Sequence, residues 1–307
     1  MSGEATQLRD AMKGFGTRER PLINVLSQIP DAPHMIKLRN TYDERFKRSL
    51  LKDLNSETSG NFREALLALA RGPLDQDVHA VHEAISGAGT DEHLLDDVLM
   101  GRSNADMKAI KDTYLREHHK DLAKLVSEDL SMQTEKLFQY VLSATRAEES
   151  LPINPAEIED KADRLYNATD GHQFGHIADA ACQIIAFSSD AQLRAINARY
   201  AEKYRNDLDQ VIKRKFSGHM ENSLRLMLGR AVDRPKSDAD GLEDAMKGIG
   251  TEDRLLIQRM VRARMIGREH MRRVCFAYQK RYGKSLSEKI QAETSGNYRD
   301  IMMALCV

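Results

Sequence analysis

The chain has 307 residues, with 46 Lys and Arg against 47 Asp and Glu, so its formal net charge is −1. A balanced charge excludes nucleic-acid binding that is driven by bulk positive charge. Hydrophobic residues make up 41% and aromatic residues 6%, with 14 Met and no Trp, a mixture that favours helices over strands. No segment approaches the about 18 consecutive apolar residues of a membrane-spanning helix, and the N-terminus lacks a signal-peptide pattern.

The three cysteines, Cys182, Cys275 and Cys306, lie in apolar stretches that read as helical. An odd and sparse count argues against a disulfide framework and for a reducing compartment. We therefore expect small buried hydrophobic side chains at these positions. Together with the absence of targeting signals, this predicts a cytoplasmic protein whose contact with membranes is peripheral.

The opening of the chain recurs near its end. Residues 11–23 (AMKGFGTRERPLI) and 245–257 (AMKGIGTEDRLLI) are identical at nine of thirteen positions. A third copy begins at residue 84 (AISGAGTDEHLLD), and a degraded fourth copy lies between them. Such internal repetition predicts an architecture of stacked repeats. We expect repeats at residues 1–72, 73–146, 159–232 and 233–307, with a proline-containing linker at 147–158.

Apolar residues at helical spacing predict about five short helices in each repeat. In repeat 1, Leu22, Val25 and Leu26 fall on one face of a helix, and alternating strand patterns are absent. The threonines that precede the second helices, Thr17, Thr90 and Thr251, are expected N-caps. The helices expected in repeat 1 are residues 4–13, 18–28, 33–45, 48–55 and 60–70.

Paired glycines lie between the first and second helices of three repeats. Paired glycines allow positive φ angles and a tight reversal that can turn consecutive carbonyls outward. Outward carbonyls are ligands for a hard cation, and they need a carboxylate to complete a Ca²⁺ site. A carboxylate follows each loop at a matched distance, namely Glu57 after Thr17, Asp129 after Thr90 and Glu293 after Thr251.

The motif Met-Lys-Gly-x-Gly-Thr, followed by a carboxylate about 38 residues later, resembles the sequence pattern of the annexin family. The resemblance covers essentially the whole chain. It implies an all-α fold of four repeats packed as a slightly curved disc, whose convex-face Ca²⁺ sites bind anionic, phosphatidylserine-like phospholipid membranes. The ligands implied are Met12, Gly14, Gly16 and Glu57 in repeat 1, Ile85, Gly87, Gly89 and Asp129 in repeat 2, and Met246, Gly248, Gly250 and Glu293 in repeat 4. Because the chain starts almost at the first helix, we expect the variable N-terminal arm of the family to be absent or trimmed.

The residue between the two glycines is apolar in each of these loops, and an apolar loop tip can dip into a membrane interface. We therefore expect Phe15, Ala88 and Ile249 to contact the membrane. Each proposed site has one carboxylate, so Ca²⁺ binding without lipid should be weak. Lipid binding should then attach the protein peripherally to membranes when Ca²⁺ is raised.

Repeat 3 departs from the pattern. Residues 173–176 (Gln-Phe-Gly-His) replace Gly-x-Gly-Thr, and Lys215 occupies the position of the carboxylate. A cation there opposes Ca²⁺ directly, so we predict no site in this repeat. His172 and His176 have helical i, i+4 spacing, but the glycines beside them disfavour a helix and we expect exposed loop histidines. Repeat 2 carries Leu-Ser-Met after Asp129 where repeats 1 and 4 have Thr-Ser-Gly.

The loops do not match two common nucleotide-binding motifs. No Gly-Lys-Ser/Thr follows the loops, which excludes a phosphate loop, and no strand precedes them, which excludes a dinucleotide site. No catalytic constellation can be identified, so we predict no enzyme activity. The alternative function is a Ca²⁺-insensitive helical scaffold for protein partners. A monomer in solution is favoured.

Basic residues cluster in repeats 3 and 4. We expect a solvated face with ion pairs along the helices, while an accessory polyanion or protein partner stays open. The residues concerned are Arg262, Arg264, Arg268, Arg272 and Arg273 in repeat 4 and Lys213, Arg214 and Lys215 in repeat 3.

Overall fold

The computed structural model describes residues 1–14, 16–87, 89–130, 132–170, 177–248 and 250–306, which form 20 helices and no strand. This confirms the predicted all-α fold of four repeats with about five short helices each. The chain separates into two compact units, Met1–Asp77 with Asp238–Val307, and Val78–Ser237. None of the helices in the described part of the chain is long and apolar enough to cross a membrane.

The helices of the first half of the chain are α1 (Ser2–Ala11), α2 (Glu19–Gln28), α3 (Ala32–Phe46), α4 (Leu50–Glu57), α5 (Gly60–Arg71), α6 (Pro73–Ile85), α7 (Glu92–Leu99), α8 (Asn104–His118), α9 (Leu122–Asp129) and α10 (Met132–Leu142). Those of the second half are α11 (Pro155–Asp170), α12 (Ile177–Phe187), α13 (Asp190–Tyr204), α14 (Leu208–Lys215), α15 (Gly218–Val232), α16 (Arg234–Met246), α17 (Asp253–Ile266), α18 (Arg268–Tyr282), α19 (Leu286–Glu293) and α20 (Gly296–Ala304). The five helices expected in repeat 1 are all present, with ends shifted by one or two residues.

The third and fourth helices of every repeat share one construction. The third helices, α3, α8, α13 and α18, each have 15 residues and end at a residue in the left-handed conformation. The fourth helices, α4, α9, α14 and α19, each have eight residues and begin after a Ser or Asp whose side chain accepts a backbone N–H. Such caps fix where a helix starts. The fourth helix therefore ends at the same place in all four repeats.

Each unit has its own apolar core. In the first unit, α5 packs against α2, α17 and α20, and α1 packs against α2 and α3. In the second unit, α15 packs against α7, α10, α12, α13 and α14. The buried positions in α2, such as Leu22, Val25 and Leu26, are those with helical spacing in the sequence. Removing these apolar surfaces from water is the main stabilising contribution in such helical packing.

A buried arginine ties two helices together inside each unit. Arg264 of α17 is 2% exposed and donates to the backbone carbonyls of Ser27 and Ile29, at 3.0 and 2.8 Å, at the end of α2. Arg230 of α15 is 6% exposed and donates to the carbonyl of Met100 at 3.0 Å. The last carbonyls of a helix lack intrahelical partners, and a guanidinium supplies several donors at once.

The expectation that the basic residues of repeat 4 form a solvated face is therefore wrong for Arg264. Its spacing from the neighbouring arginines resembles a surface stripe, but its acceptors belong to repeat 1. Arg272 and Arg273 do lie on an exposed face, where they pair with Glu269.

The cysteines follow the expectation in part. Cys182 is buried, and burial raises the pKa of its thiol to about 12, so it behaves as a small hydrophobic side chain. Cys275 and Cys306 are only partly buried, and neither forms a disulfide.

Replacing Arg264 with alanine should lower the free energy of unfolding by about 3 kcal/mol, because several helix-end carbonyls lose a charged donor while staying buried. Arg272→Ala is the matched control, since the Arg272 side chain is 68% exposed and its loss should change stability by less than about 0.5 kcal/mol. Denaturant unfolding monitored by circular dichroism measures both. Equal changes in the free energy of unfolding for the two substitutions would show that the buried contacts of Arg264 do not stabilise the fold.

Candidate metal centres

The three glycine loops close with the same backbone hydrogen bond. In each, the N–H of the residue that follows the threonine donates at 2.9 Å to the carbonyl of an alanine in the last turn of the preceding helix. The pairs are Arg18 to Ala11, Asp91 to Ala84 and Glu252 to Ala245. The loops thus reverse the chain in the same way in repeats 1, 2 and 4, as the shared sequence predicted.

The glycines have the backbone conformation that the loops require. Gly14 and Gly16 have φ angles of +102° and +80°, and Gly248 and Gly250 have +97° and +90°. These angles are strained for residues with a Cβ atom. In repeat 2, Gly89 follows the pattern at +96°, whereas Gly87 does not have a positive φ. The second loop therefore differs in backbone from the other two at its first glycine.

The fold brings each loop to its predicted carboxylate. The Thr17 hydroxyl lies 2.8 Å from the Glu57 carbonyl and 3.2 Å from Glu57 Oε2. The Thr90 hydroxyl lies 3.2 Å from Asp129 Oδ2. In repeat 4, the Thr251 hydroxyl lies 3.3 Å from the Glu293 carbonyl and 3.5 Å from Glu293 Oε2. Three loop–carboxylate pairs inferred from spacing thus meet in space.

The threonines act differently from the prediction. The N-caps of the second helices are Arg18, Asp91 and Glu252, so Thr17, Thr90 and Thr251 each lie one residue before the cap. Their hydroxyls donate to the carboxylate turn. Sequence reasoning missed this contact, although the recurrence of threonine at this position was a usable signal.

All three carboxylates are the last residues of eight-residue helices: Glu57 ends α4, Asp129 ends α9 and Glu293 ends α19. The C-terminal end of a helix carries partial negative charge, which disfavours an anion there. None of these helices has a basic residue in its last turn. A cation in the adjoining loop would relieve this unfavourable charge, so the position suits a metal ligand.

The environment of Glu293 differs from that of the other two. Lys289, one turn earlier on α19, places its Nζ 2.9 Å from Glu293 Oε1. The two side chains are 22% and 25% exposed. A cation bound in the fourth loop would have to compete with this ammonium group.

Repeat 3 has the opposite charge at the same structural position. Lys215 ends α14, whose last turn holds Lys213, Arg214 and Lys215. Cations are favourable at a helix C-terminus without any metal. The loop that would complete the site, residues 171–176 with His172 and His176, lies outside the described residues, as do the proposed membrane contacts Phe15, Ala88 and Ile249.

The available donors fit a hard cation. Each site can offer backbone carbonyls and one carboxylate, and Ca²⁺ prefers oxygen ligands, of which it takes about six to eight. The described residues contain no group of three or more His, Cys, Asp or Glu side chains that could hold a metal ion. In a site of this kind, backbone carbonyls would supply most of the protein ligands, which would leave coordination positions for other oxygens.

Comparison with known proteins agrees with the repeat architecture. A family model described as Annexin matches residues 3–69, 76–141, 160–227 and 237–305. The chain belongs to the annexin family. Annexin C1 of Cryptococcus neoformans var. grubii serotype A is 36% identical over 309 residues, which cover 98% of this chain and 64% of that relative. The chain thus spans less than two thirds of the length of this annexin.

Solved annexin structures have the same fold. The structure of annexin III matches with a TM-score of 0.91 and 28% identity, covering 99% of this chain and 93% of that chain. A calcium-bound structure of annexin (Sm)1 matches with a TM-score of 0.87 and 27% identity, covering 99% of this chain and 89% of that chain. Annexins in general bind phospholipid in a Ca²⁺-dependent manner.

Gly14→Ala should lower the free energy of unfolding by about 1–2 kcal/mol, because alanine is strained at a φ of +102° although no atom lies within 4 Å of its Cβ. Gly87→Ala is the matched control at the equivalent position of the second loop. It should be nearly neutral, since its φ is not positive and its Cβ would lie 3.7 Å from the Gly89 carbonyl oxygen. Denaturant unfolding in chelator measures the free energy of unfolding of both variants. Equal decreases would show that the two loops have the same backbone conformation at their first glycine.

Proposed function

We propose that this annexin binds anionic phospholipid membranes in response to Ca²⁺ through loops 1, 2 and 4. The observation that carries the proposal is the threefold pairing of a glycine loop with a carboxylate at a helix C-terminus. The ligands would be the carbonyls of Met12, Gly14 and Gly16 with Glu57, of Ile85, Gly87 and Gly89 with Asp129, and of Met246, Gly248 and Gly250 with Glu293. Bound Ca²⁺ would supply positive charge and open coordination positions for lipid phosphate.

Each loop contributes one negative side chain, so the protein alone should bind Ca²⁺ weakly. Lipid phosphate supplies the missing anionic oxygens, and by linkage Ca²⁺ and membrane should each strengthen the binding of the other. Phe15, Ala88 and Ile249 would add apolar contacts at the loop tips. We propose peripheral attachment of a cytoplasmic, monomeric protein to phosphatidylserine-like membranes, with no nucleic-acid partner and no enzyme activity.

The alternative is a Ca²⁺-insensitive scaffold that keeps the loops only as turns. A scaffold has no need for acids at three unfavourable helix ends, and repeat 3 demonstrates that the turn tolerates lysine there. The retained acids therefore favour the Ca²⁺-dependent function. Co-sedimentation with phosphatidylserine vesicles in Ca²⁺ and in chelator separates the two hypotheses.

The three carboxylates should share the binding. Glu57→Gln, Asp129→Asn and Glu293→Gln should each raise the Ca²⁺ concentration that gives half-maximal vesicle binding, because each removes the only charged ligand of its loop. The triple variant should lose Ca²⁺-dependent binding while its circular dichroism spectrum stays helical. Glu64→Gln is the control and should bind normally, because Glu64 lies within α5, has a side chain that is 41% exposed and belongs to no loop–carboxylate pair. Normal vesicle binding by the triple variant would eliminate these sites.

Repeat 3 should bind no Ca²⁺. A crystal structure obtained in abundant Ca²⁺ should have ions at loops 1, 2 or 4 and none beside Lys215. Lys215→Glu alone should not create a site, because a carboxylate cannot replace the glycine loop, and it should weaken vesicle binding by at most about 1 kcal/mol by removing a cation near anionic lipid. An ion beside Lys215 in the unmodified protein would refute the alignment of this repeat.

A further inference from the structure

Two of the three cysteines lie side by side in repeat 4. The Sγ atom of Cys275, on α18, lies 3.7 Å from the backbone carbonyl oxygen of Cys306, in the turn that follows α20. The two residues are 31 positions apart in the sequence, so the fold brings them together. Cys182, by contrast, is buried within the second unit. The odd number of cysteines therefore includes one adjacent pair.

The two thiols influence each other's ionisation. Interaction with the Cys306 thiol lowers the pKa of Cys275 below its ordinary value. Interaction with Cys275, together with burial, raises the pKa of Cys306, and the Ser287 hydroxyl of α19 acts in the opposite direction. The first proton to leave the pair therefore comes from Cys275. A thiol with a lowered pKa beside a second thiol is the arrangement found in dithiols that exchange with disulfides.

Helix α18 carries positive charge one turn before Cys275. The side chains of Arg272 and Arg273 are 68% and 67% exposed, and they share one acid, Glu269, so these three residues keep a net positive charge. Residues three positions apart on a helix are neighbours, which places Arg272 next to Cys275. Nearby cations stabilise a thiolate and attract an anionic reagent. The pair therefore suits a small, negatively charged disulfide.

We propose that Cys275 and Cys306 form a redox site, in which their thiols exchange with glutathione disulfide to give a reversible disulfide bond between α18 and the turn after α20. Both side chains are partly exposed and both thiols are free, so the structure describes the reduced state of this site. A disulfide in a reducing compartment is transient and responds to the redox state. Such a bond is therefore compatible with the cytoplasmic location that the sequence predicts.

Formation of the bond requires a rotation of the Cys306 side chain. Its Sγ atom lies 3.7 Å from the carbonyl oxygen of Met302, one turn earlier in α20. A disulfide holds its two Cβ atoms about 3.5–4.5 Å apart, and the Cys275 sulfur already lies beside the Cys306 backbone. Cys306 belongs to a turn and not to a helix, which leaves its backbone room to adjust.

The exchange takes place in two balanced steps. In the first, the Cys275 thiolate attacks one sulfur of glutathione disulfide and forms a mixed disulfide, while the other glutathione leaves as a thiolate and takes up the proton that Cys275 lost. In the second, Cys306 loses its proton and attacks the Cys275 sulfur, and the second glutathione leaves and takes up that proton. Two protein thiols are thus oxidised by two electrons, and one glutathione disulfide is reduced to two glutathiones.

The disulfide would close a loop from α18 to the turn after α20, which contains all of α19 and its last residue, Glu293. Closing a loop removes conformational freedom from the unfolded chain and so stabilises the folded segment. Oxidation would therefore stabilise the part of repeat 4 that holds the proposed carboxylate ligand. The redox site itself needs neither Ca²⁺ nor lipid, so it is tested separately from the proposed function.

The first test equilibrates the full chain with reduced and oxidised glutathione in chelator, and alkylation with mass spectrometry quantifies the thiol states. The unmodified protein should form one internal disulfide, which joins Cys275 to Cys306. Its equilibrium constant gives an effective thiol concentration, which should exceed by at least about tenfold the mM value of groups joined by a flexible linker. A value at or below mM would show that the fold does not hold the thiols together, and would overturn the proposal.

The same exchange measured in denaturant is an internal control. The effective thiol concentration should fall at least about tenfold when the chain unfolds, because the fold brings the thiols together. By linkage, oxidation must shift the unfolding equilibrium by that same factor, and denaturant unfolding of the oxidised and reduced forms measures this shift independently. Equal effective concentrations in the native and denatured protein would overturn the proposal.

Three serine variants separate the roles of the thiols. Cys306→Ser should accumulate a mixed disulfide of Cys275 with one glutathione, since no second thiol can displace it. Cys275→Ser should react at Cys306 about tenfold more slowly, because burial keeps the pKa of that thiol high. Cys182→Ser is the matched control and should form the internal disulfide as the unmodified protein does.

Equal rates of glutathione attachment in Cys275→Ser and Cys306→Ser would refute the assignment of Cys275 as the attacking thiol. An oxidation product that joins Cys182 to another cysteine, or that joins two chains, in place of the internal disulfide would overturn the site. Circular dichroism of the reduced variants checks that they fold. The first test needs only the unmodified protein in its two redox states, so a variant that failed to fold would not change its result.

Discussion

An acid at the C-terminal end of a short helix is the constraint on which the candidate sites depend. Glu57, Asp129 and Glu293 occupy this position, where the helix dipole opposes negative charge. The helices keep this position because the left-handed residue and the N-cap before them fix where they begin. The fold thus holds three carboxylates beside glycine loops at helix ends where the dipole opposes negative charge. A cation in the loop would remove that disadvantage at Glu57 and Asp129, whereas Lys289 already offsets it at Glu293.

The stability of the framework comes from contacts away from these loops. Arg264 and Arg230 each join two helices through buried carbonyls inside one unit. The apolar faces of α5 and α15 pack against several neighbours within their own units. Since neither feature involves the loops, a repeat can lose its site and keep its fold. Repeat 3 fits this separation, because α14 has the length and the cap of the other fourth helices although it ends in Lys215.

Much of the fold could be predicted because the repeats duplicate local signals. Apolar spacing and turn residues located the helices of repeat 1 to within one or two residues, and the paired glycines identified the loops. The errors concern contacts between residues distant in sequence. Thr17 reads locally as an N-cap, but its acceptor is Glu57, forty positions later. The spacing of Arg264 from the neighbouring arginines predicts an exposed position on α17. Its acceptors lie in repeat 1, so the sequence of α17 alone cannot predict its burial.

The first unit should carry most of the membrane affinity. It contains loops 1 and 4, whereas the second unit contains loop 2 and the lysine-bearing repeat 3. A side-chain hydrogen bond links the start of α5 to the start of α17, because Asn61 Nδ2 lies 2.5 Å from Asp253 Oδ2. The first of these helices follows Glu57, and the second follows loop 4. Under the proposed function, two weak sites held on one compact unit would bind the same surface with a high effective concentration. Under the same function, loops 1 and 4 would then act as one lipid-binding surface, in which duplication of a weak site compensates for its single carboxylate.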